Sequence, residues 1–567
     1  MSWRTLNITR WSFPISSVGP KFAVLTLVLV CGVAGAAGGP LHSNPARLSV
    51  DVKLLASDAF EGREPGTRAE TRTVIFITDR MKEAGLQPGG ALVRGHRGWT
   101  QDVPLAKFSF TGPPNFSLTV AGAVHPLTQG QQIEIRAPET NITELAVQNA
   151  PLVFVGYGVH APERNWDDFK SVDLHGKIAV VLVNDPDFET GKGDFGGKAM
   201  TYYGRWTYKY EEAARQGALG TLIVHETAAA AYGWATVANS NSGALYDIVR
   251  KDPSQVHVPL EGWIQHDVAV ALLKQVGLDF DTLKKQAQTR EFKPVPLPGV
   301  ALSASGHVSH EVVVSKNVVG RLPGTAKPDE TLIFSAHWDH FGIKPADAKG
   351  DRVLNGAVDN ATGVAALLEL GRLFGSAPRA ARSIVFLATT AEERGLLGSE
   401  YYAANPLYPL ETTVADINMD IMGVYGPARD VSTFGETEND LLTDLIAAAR
   451  AQGRTYTPDP SPEAGHFFRS DHFQLSKRGV PAMSFSPGED LVNGGVTAGR
   501  AHREDYFAHR YHQAGDEWTP DMDFRGEALD VTLLYNLGRK LATSGWPQWN
   551  AGSEFKEIRD KSAGERH

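Results

Sequence analysis

Thr331-Leu332-Ile333-Phe334-Ser335-Ala336-His337-Trp338-Asp339-His340 is an apolar run that ends abruptly in imidazole and carboxylate side chains. The run is short enough for a buried strand and too short for a core helix. The same grammar recurs downstream. Thr362 to Phe374 has helical periodicity through Val364, Leu367, Leu368 and Leu370, and Gly356-Ala357-Val358-Asp359-Asn360-Ala361-Thr362-Gly363 opens it. Ser383 to Thr389 is a second apolar strand, followed by Glu392-Glu393-Arg394-Gly395. Val414 to Ile417 runs into Asn418-Met419-Asp420, and Ala482 to Phe485 continues the alternation. Strand–helix alternation of this kind predicts an α/β fold with a largely parallel sheet covered by helices. Ligands bind such sheets outside the C-terminal ends of the strands, and that is where the polar clusters fall.

Working outward, Lys107 to Val295 has a different texture. Strand-like runs dominate (Phe116–Val120, Leu152–Gly156, Ile178–Val183, Gly220–Val224), with one helical pattern near Tyr208 to Gln216. This predicts a β-rich inserted domain over 107–298, with Lys293-Pro294-Val295-Pro296-Leu297-Pro298 as the linker out of it. The main domain then divides into 46–106, where Arg68 to Ala84 has helical spacing and Gly85 is a stop, and 306–548. Residues 549–567 read as a tail.

Phe22 to Ala37 is apolar and uncharged behind Lys21, and Ala34-Gly35-Ala36 has the small-residue cleavage pattern. Residues 1–36 read as a secretory signal peptide, and the run is short for a membrane span. The expectation is an exported protein, periplasmic or secreted, with no span after cleavage. Removing Arg4, Arg10 and Lys21 leaves 52 basic against 65 acidic residues, a formal −13. Nucleic acid is a poor partner for that balance. Cys31 is the only cysteine and leaves with the signal, so the mature chain has no thiolate ligand and no disulfide.

The remaining polar set is His337, Asp359, Glu393, Asp420 and His512, with Glu392 beside Glu393 and Asp339 two residues after His337. Divalent ions of the zinc type take about four imidazole or carboxylate ligands each, and a pair of ions about 3.5–4 Å apart needs a bridging group. A carboxylate has two oxygens and can bridge; a neutral imidazole cannot. A further carboxylate must stay free to move the water's proton. Two imidazoles, three ligand carboxylates and one base satisfy that count. Each motif alone is common in other settings: Asp359-Asn360 suits an N-cap, and adjacent glutamates suit an exposed helix start. Their joint order at strand ends is what carries the reading.

The order His-x-Asp, Asp-Asn-Ala-x-Gly, Glu-Glu-x-Gly-Leu-x-Gly-Ser, Asn-Met-Asp and a late Tyr-His resembles the M28 family of co-catalytic zinc peptidases. Asn317 to Thr325, Ser470-Asp471-His472 and Gly479 to Ala482 look like further elements of that family. Phe154 to Val159, Asp173 to Val180 and Ala213 to Ala218 resemble a protease-associated (PA) domain. The resemblance implies a three-layer zinc-peptidase domain with a mixed, mostly parallel sheet, a PA-type insert, and a two-Zn2+ aminopeptidase in which Co2+ or Mn2+ could substitute. It implies that Asp359 bridges, that His337 and Asp420 complete one site and Glu393 and His512 the other, that Glu392 is the general base, and that Asp339 hydrogen-bonds His337. The substrate would be a peptide with its free amine near the second metal and nearby carboxylates. A carboxypeptidase or dipeptidase on the same scaffold would need a cationic clamp, for which Arg394 or Arg469 is available. A glutaminyl cyclase would not need the full ligand set, and a metal-free binding protein should lack one of these residues. His340 reads as a neighbour of the site, His472 as part of a structural loop, His466 as facing substrate, and Tyr425 as a candidate oxyanion donor.

Overall fold

The computed structural model describes residues 41–566 apart from 140, 141, 242, 348 and 544. The expected signal segment 1–36 lies outside the described residues. Four strands form the parallel centre of the main sheet, in the order Arg382–Thr389, Lys327–His337, Thr413–Met419 and Ala482–Pro487. Antiparallel strands flank it: the end of Val295–Leu322 on one side and Asp430–Thr433 on the other.

Strand alternation decides what each face buries. Leu332 and Phe334 face one core with Ile384 and Phe386, while Ile333 faces the other with Val385 and Leu387. The first core is covered by helices Pro45–Leu55, Arg68–Glu83, Gly363–Ser376 and Arg525–Leu541, whose Leu48, Ile77, Leu367 and Leu534 are buried there. The second is covered from below by Leu397–Ala404 and His472–Ser476, through Tyr402 and Leu475. Helix, sheet and helix make three layers. The helix Gly363–Ser376 lies between the sheet and other helices, and accordingly it is apolar nearly all round.

The insert is built on a second sheet. Glu144–Phe154, Ile178–Leu182, Gly220–His225 and Leu260–Gln265 run parallel, with Ile133–Ile135 antiparallel at the edge. It carries more helix than its strand-like texture suggested: besides Trp206–Arg215 there are His266–Gln275 and Phe280–Ala287. Their short amphipathic repeats sit on a parallel sheet, which needs helical crossovers.

Two boundaries differ from expectation. Lys293–Pro298 is no free linker, because Val295–Leu322 is one 28-residue strand that pairs with Glu144–Phe154 in the insert and with Arg382–Thr389 in the main sheet. The prolines are tolerated where the ladder shifts register between Pro296 and Ala301. Residues 107 and 298 both fall inside strands. The expected tail is also packed: Trp549 and Phe555 are buried, Trp549 Nε1 donates to the Gly479 carbonyl, and buried Arg559 donates to the carbonyls of Leu410 and Thr413. Two large aromatics in a short segment bury more apolar surface than a free tail could leave in water. Among the described residues no helix is long and apolar enough to cross a membrane.

Candidate metal centre

Register brings the polar groups together. His337 pairs with Thr389 and Ser335 with Asn418, so the first residues past three parallel strands lie level at one edge of the sheet. Asp359 arrives from the turn before the buried helix, where it has a non-helical backbone (φ −107°, ψ 97°) inside an otherwise wound segment. The Asp359–Asn360 peptide is cis. Asn360 ties this turn to the strand end by donating to the Met419 carbonyl, and Gly363 allows the approach, since a Cβ there would lie 2.3 Å from that oxygen. His512 comes last, with a left-handed backbone (φ 58°).

The result is two imidazoles around one carboxylate. His337 Nε2 lies 3.2 Å from Asp359 Oδ1 and 3.3 Å from Asp420 Oδ1. His512 Nε2 lies 3.2 Å from Asp359 Oδ2 and 3.2 Å from Glu393 Oε2. Asp359 therefore gives a different oxygen to each imidazole. A looser grouping, within 4.8 Å, also places His337 with Asp359 and Glu393, and with Glu392 and Asp420. The contacts of 3.2–3.3 Å are the tighter criterion, and they leave Glu392 outside, 3.9 Å from His337 Nε2.

The electrostatics show what this arrangement requires. His337 Nδ1 lies 3.2 Å from the Asp339 carbonyl oxygen, so its proton goes there and Nε2 faces carboxylate oxygens. A bare nitrogen lone pair against oxygen lone pairs is repulsive, so a cation must stand between them. With only protons available, His337 is pushed well above its usual range and His512 to about 10: burial opposes this, and the facing carboxylates outweigh it. Burial alone would raise Asp359 and Glu393. His337 and His512 nevertheless hold Asp359 well below its ordinary value, and His512 and His340 hold Glu393 at about 2, against Asp359's repulsion. The buried Nε2 of His512 has no hydrogen bond, although two carboxylates stand 3.2 Å away. Ligands about 2.0–2.2 Å from a tetrahedral ion lie about 3.3–3.5 Å from each other. The donor set and its spacing fit two zinc-type ions.

Surrounding groups fix the ligands. Ser470 Oγ donates to Asp420 Oδ2 at 2.8 Å and receives Asn418 Nδ2 at 2.6 Å. His340 Nδ1 is 2.6 Å from Glu393 Oε1, which places His340 beside the site as its position in the sequence implied. Asp339 differs from expectation. Its carboxylate stands 3.8 Å from His337 Nδ1 and instead accepts the amides of Glu392 at 3.0 Å and Glu393 at 3.4 Å, while its main-chain oxygen takes the imidazole. A turn starting right after the strand brings those amides closer than the ring. Burial and Glu393 raise Asp339 to about 7, with His337 opposing. His472 is fully buried with both ring nitrogens unpaired, and burial pulls it to about 3, the neutral state of a packed side chain. His466 Nδ1 meets Asp459 Oδ2 at 2.8 Å. Tyr425 is stacked on His502, and its hydroxyl accepts from Arg510.

A cavity of about 130 Å3 adjoins the centre, lined by Ile421, Met422, Tyr425, Phe434, Leu491 and Phe507 among others. Ile421 directly follows Asp420. Another buried cluster, Glu139, Asp247 and His257, has its acids engaged by Arg136 and Arg250 and is read as a charge network of the fold. Two functional residues gave little sequence signal. Arg63 lies in the turn Glu61-Gly62-Arg63-Glu64-Pro65-Gly66-Thr67 and Asp516 four residues after His512, yet both hydrogen-bond the turn that carries Asp359. Only their chemistry, a cation and an acid beside ligand motifs, could have flagged them.

The family model described as Peptidase family M28 matches residues 317–533, the span that holds all these ligands. Residues 317–533 are thus similar to peptidase family M28. A "Probable zinc metalloprotease" of Pyrenophora teres f. teres is 40% identical over 107 residues, 19% of this chain, and the chain spans only 22% of that relative's length. "Aminopeptidase YwaD" of Bacillus subtilis is 25% identical over 76% of this chain and 74% of its own. Among solved structures, an aminopeptidase from Aneurinibacillus sp. strain AM-1 aligns with a TM-score of 0.47 and 20% identity, covering 89% of this chain and 95% of that one.

Proposed function

We propose that this chain is an M28-type exported zinc aminopeptidase that holds two ions and removes residues from the free amino end of peptides, with its insert a PA-type module. The observation that supports it most is Asp359, which offers one oxygen to each of two imidazole–carboxylate sets. Bound there, the ions would acidify a water and polarise the carbonyl of the bond to be cut.

The chain's own residues do the rest. Glu392 stands outside both sets, so its carboxylate is free to take the proton of the attacking water and pass it to the leaving amine nitrogen. Burial, with Asp420 and Glu393, holds its proton affinity well above that of an ordinary carboxylate against the pull of His337, which suits it to accept and then return a proton. Asp339 fixes the Glu392–Glu393 turn by accepting both amides. The apolar cavity beside Asp420 takes a large apolar side chain at the amino end of the substrate. Tyr511 stacks on His512 at 3.7 Å and Phe341 packs against it edge-on at 4.6 Å, limiting the water that reaches that ligand.

A carboxypeptidase reading is favoured by one feature: Arg469 is exposed beside Ser470 and has no ion pair among the described residues, whereas Arg394 is held by Glu64 at 2.9 Å. A panel of free-amine and N-blocked peptides, with and without a chelator, decides between them. The proposal expects cleavage of free-amine peptides only, abolished by chelation and restored by zinc. Cleavage of blocked peptides from the carboxyl end would replace it with the second reading. A purified protein that binds no metal would make it a receptor. Export is tested by the amino-terminal sequence of the mature protein, expected to begin just after residue 36.

A further inference from the structure

The turn that presents Asp359 is gripped by two residues that touch neither imidazole. Arg63 is 1% exposed and donates four hydrogen bonds, all to main-chain carbonyls: Nε to Trp338 at 2.8 Å, Nη1 to Leu55 at 2.8 Å and Asn355 at 2.6 Å, and Nη2 to Gly356 at 2.8 Å. These oxygens belong to three separate segments: the end of the first helix, the residue between His337 and Asp339, and the approach to Asp359. From the other side, the Asp516 carboxylate accepts the amides of Val358 at 3.0 Å and Asp359 at 3.0 Å, and its carbonyl accepts the amide of Ala357 at 2.9 Å. Carbonyls on one flank meet a cation and amides on the other meet an anion, so the turn is held at both polarities.

The backbone around Arg63 is bent to achieve this. Glu61, Gly62 and Arg63 all have left-handed φ, of 47°, 65° and 51°. For a non-glycine residue that conformation is uncommon and costs free energy. At the far end, Gly356 has φ 56°, and a Cβ there would stand 2.7 Å from Arg63 Nη2 and 2.3 Å from the Asp359 carbonyl. Among the described residues the guanidinium makes no direct ion pair with a carboxylate of the centre; Asp516, Asp359, Asp339 and Glu393 attract its charge from a distance, while all its hydrogen bonds go to carbonyls. Its planar fork matches diverging carbonyls, which the point charge of a lysine cannot do.

We propose that Arg63 and Asp516 are positioning residues that clamp the Asp359 turn so that the two oxygens of Asp359 face different imidazoles, and that the affinity for the ion pair depends on this clamp. The inference rests on the two-ion reading, and the test separates the two. Zinc content and affinity are measured by competitive chelator titration on the wild type, R63K, R63M and D516N, with thermal melts of the metal-free proteins alongside. A wild type that fails to take two zinc ions would defeat the two-ion reading itself. Given two ions, the clamp predicts zinc affinity about 10–100-fold weaker in all three variants, the scale of outer-shell substitutions. At saturating zinc it predicts a fall in kcat with KM changed by less than about twofold. Removing a cation near metal ligands should by charge alone strengthen zinc binding. R63M binding zinc as tightly as wild type, or more tightly, therefore overturns the proposal. Should neither Arg63 variant fold, D516N decides: weakened zinc binding supports the clamp and wild-type affinity overturns it.

Discussion

Replacing Glu392 with glutamine should separate chemistry from metal binding. The carboxylate of Glu392 stands 3.9 Å from His337 Nε2, whereas Asp359, Asp420 and Glu393 make their imidazole contacts at 3.2–3.3 Å. The amide keeps the shape of the side chain, so none of the close contacts that define the two sets is vacated, and zinc content should stay at the wild-type value. What disappears is the acceptor for the water's proton. General-base participation is worth about 10²–10⁴ in rate, or about 2.7–5.4 kcal/mol at 1.36 kcal/mol per decade. E392Q should therefore lose about two to four decades in kcat on an N-terminal leucyl substrate with KM nearly unchanged. Steady-state kinetics and elemental analysis on one preparation read both quantities. A kcat within about tenfold of wild type would remove Glu392 from its role. A drop in zinc content would instead make it a ligand, and the separation drawn from the 3.9 Å contact would fail.

Asp359→Ala should release both ions together, because each set loses one member; one ion still tightly bound after dialysis would refute bridging. Ser432→Phe places a ring in the cavity beside Asp420 and should raise KM for large apolar amino-terminal residues about tenfold or more, leaving an alanyl substrate nearly unaffected; equal effects on both would show that the cavity does not receive that side chain. Asp416 is fully buried, and burial with Asp471 raises it to about 8 against the Ser335 hydrogen bond. The unfolded chain loses that proton near pH 4 and the folded chain near pH 8, so the folded state is progressively disfavoured as pH rises across that window. Denaturant midpoints of Asp416→Asn should fall less steeply than wild type between pH 4 and 8, and parallel profiles would show that Asp416 does not carry the term.

The parallel centre of the sheet was legible because its strands are apolar throughout and end in polar side chains, as strands buried on both faces must. Thr331–Ser335, Ser383–Thr389, Val414–Ile417 and Ala482–Phe485 each lie within an observed strand. The ligand candidates were legible for the same reason, since strand ends in register bring level residues together. Other features were hidden where local signal and long-range context disagree. The Pro-rich stretch before Gly299 looks like a spacer, yet it pairs with Glu144–Phe154 at a register shift that spares the missing amides. The Asp339 carboxylate lies two residues from His337, and spacing cannot tell that a turn of amides comes nearer than the ring. Arg63 lies 296 positions before Asp359, and nothing in its neighbours announces which carbonyls it meets.

The pairing of Thr100–Phe110 with Val308–Val318 continues without a break from the insert to the main sheet. A ladder hydrogen-bonded along its whole length has no residue free to swing through large φ and ψ changes, which is what a hinge needs. The insert is consequently braced against the main sheet along a stiff two-stranded beam, and any motion of one relative to the other has to bend that beam rather than turn about a joint.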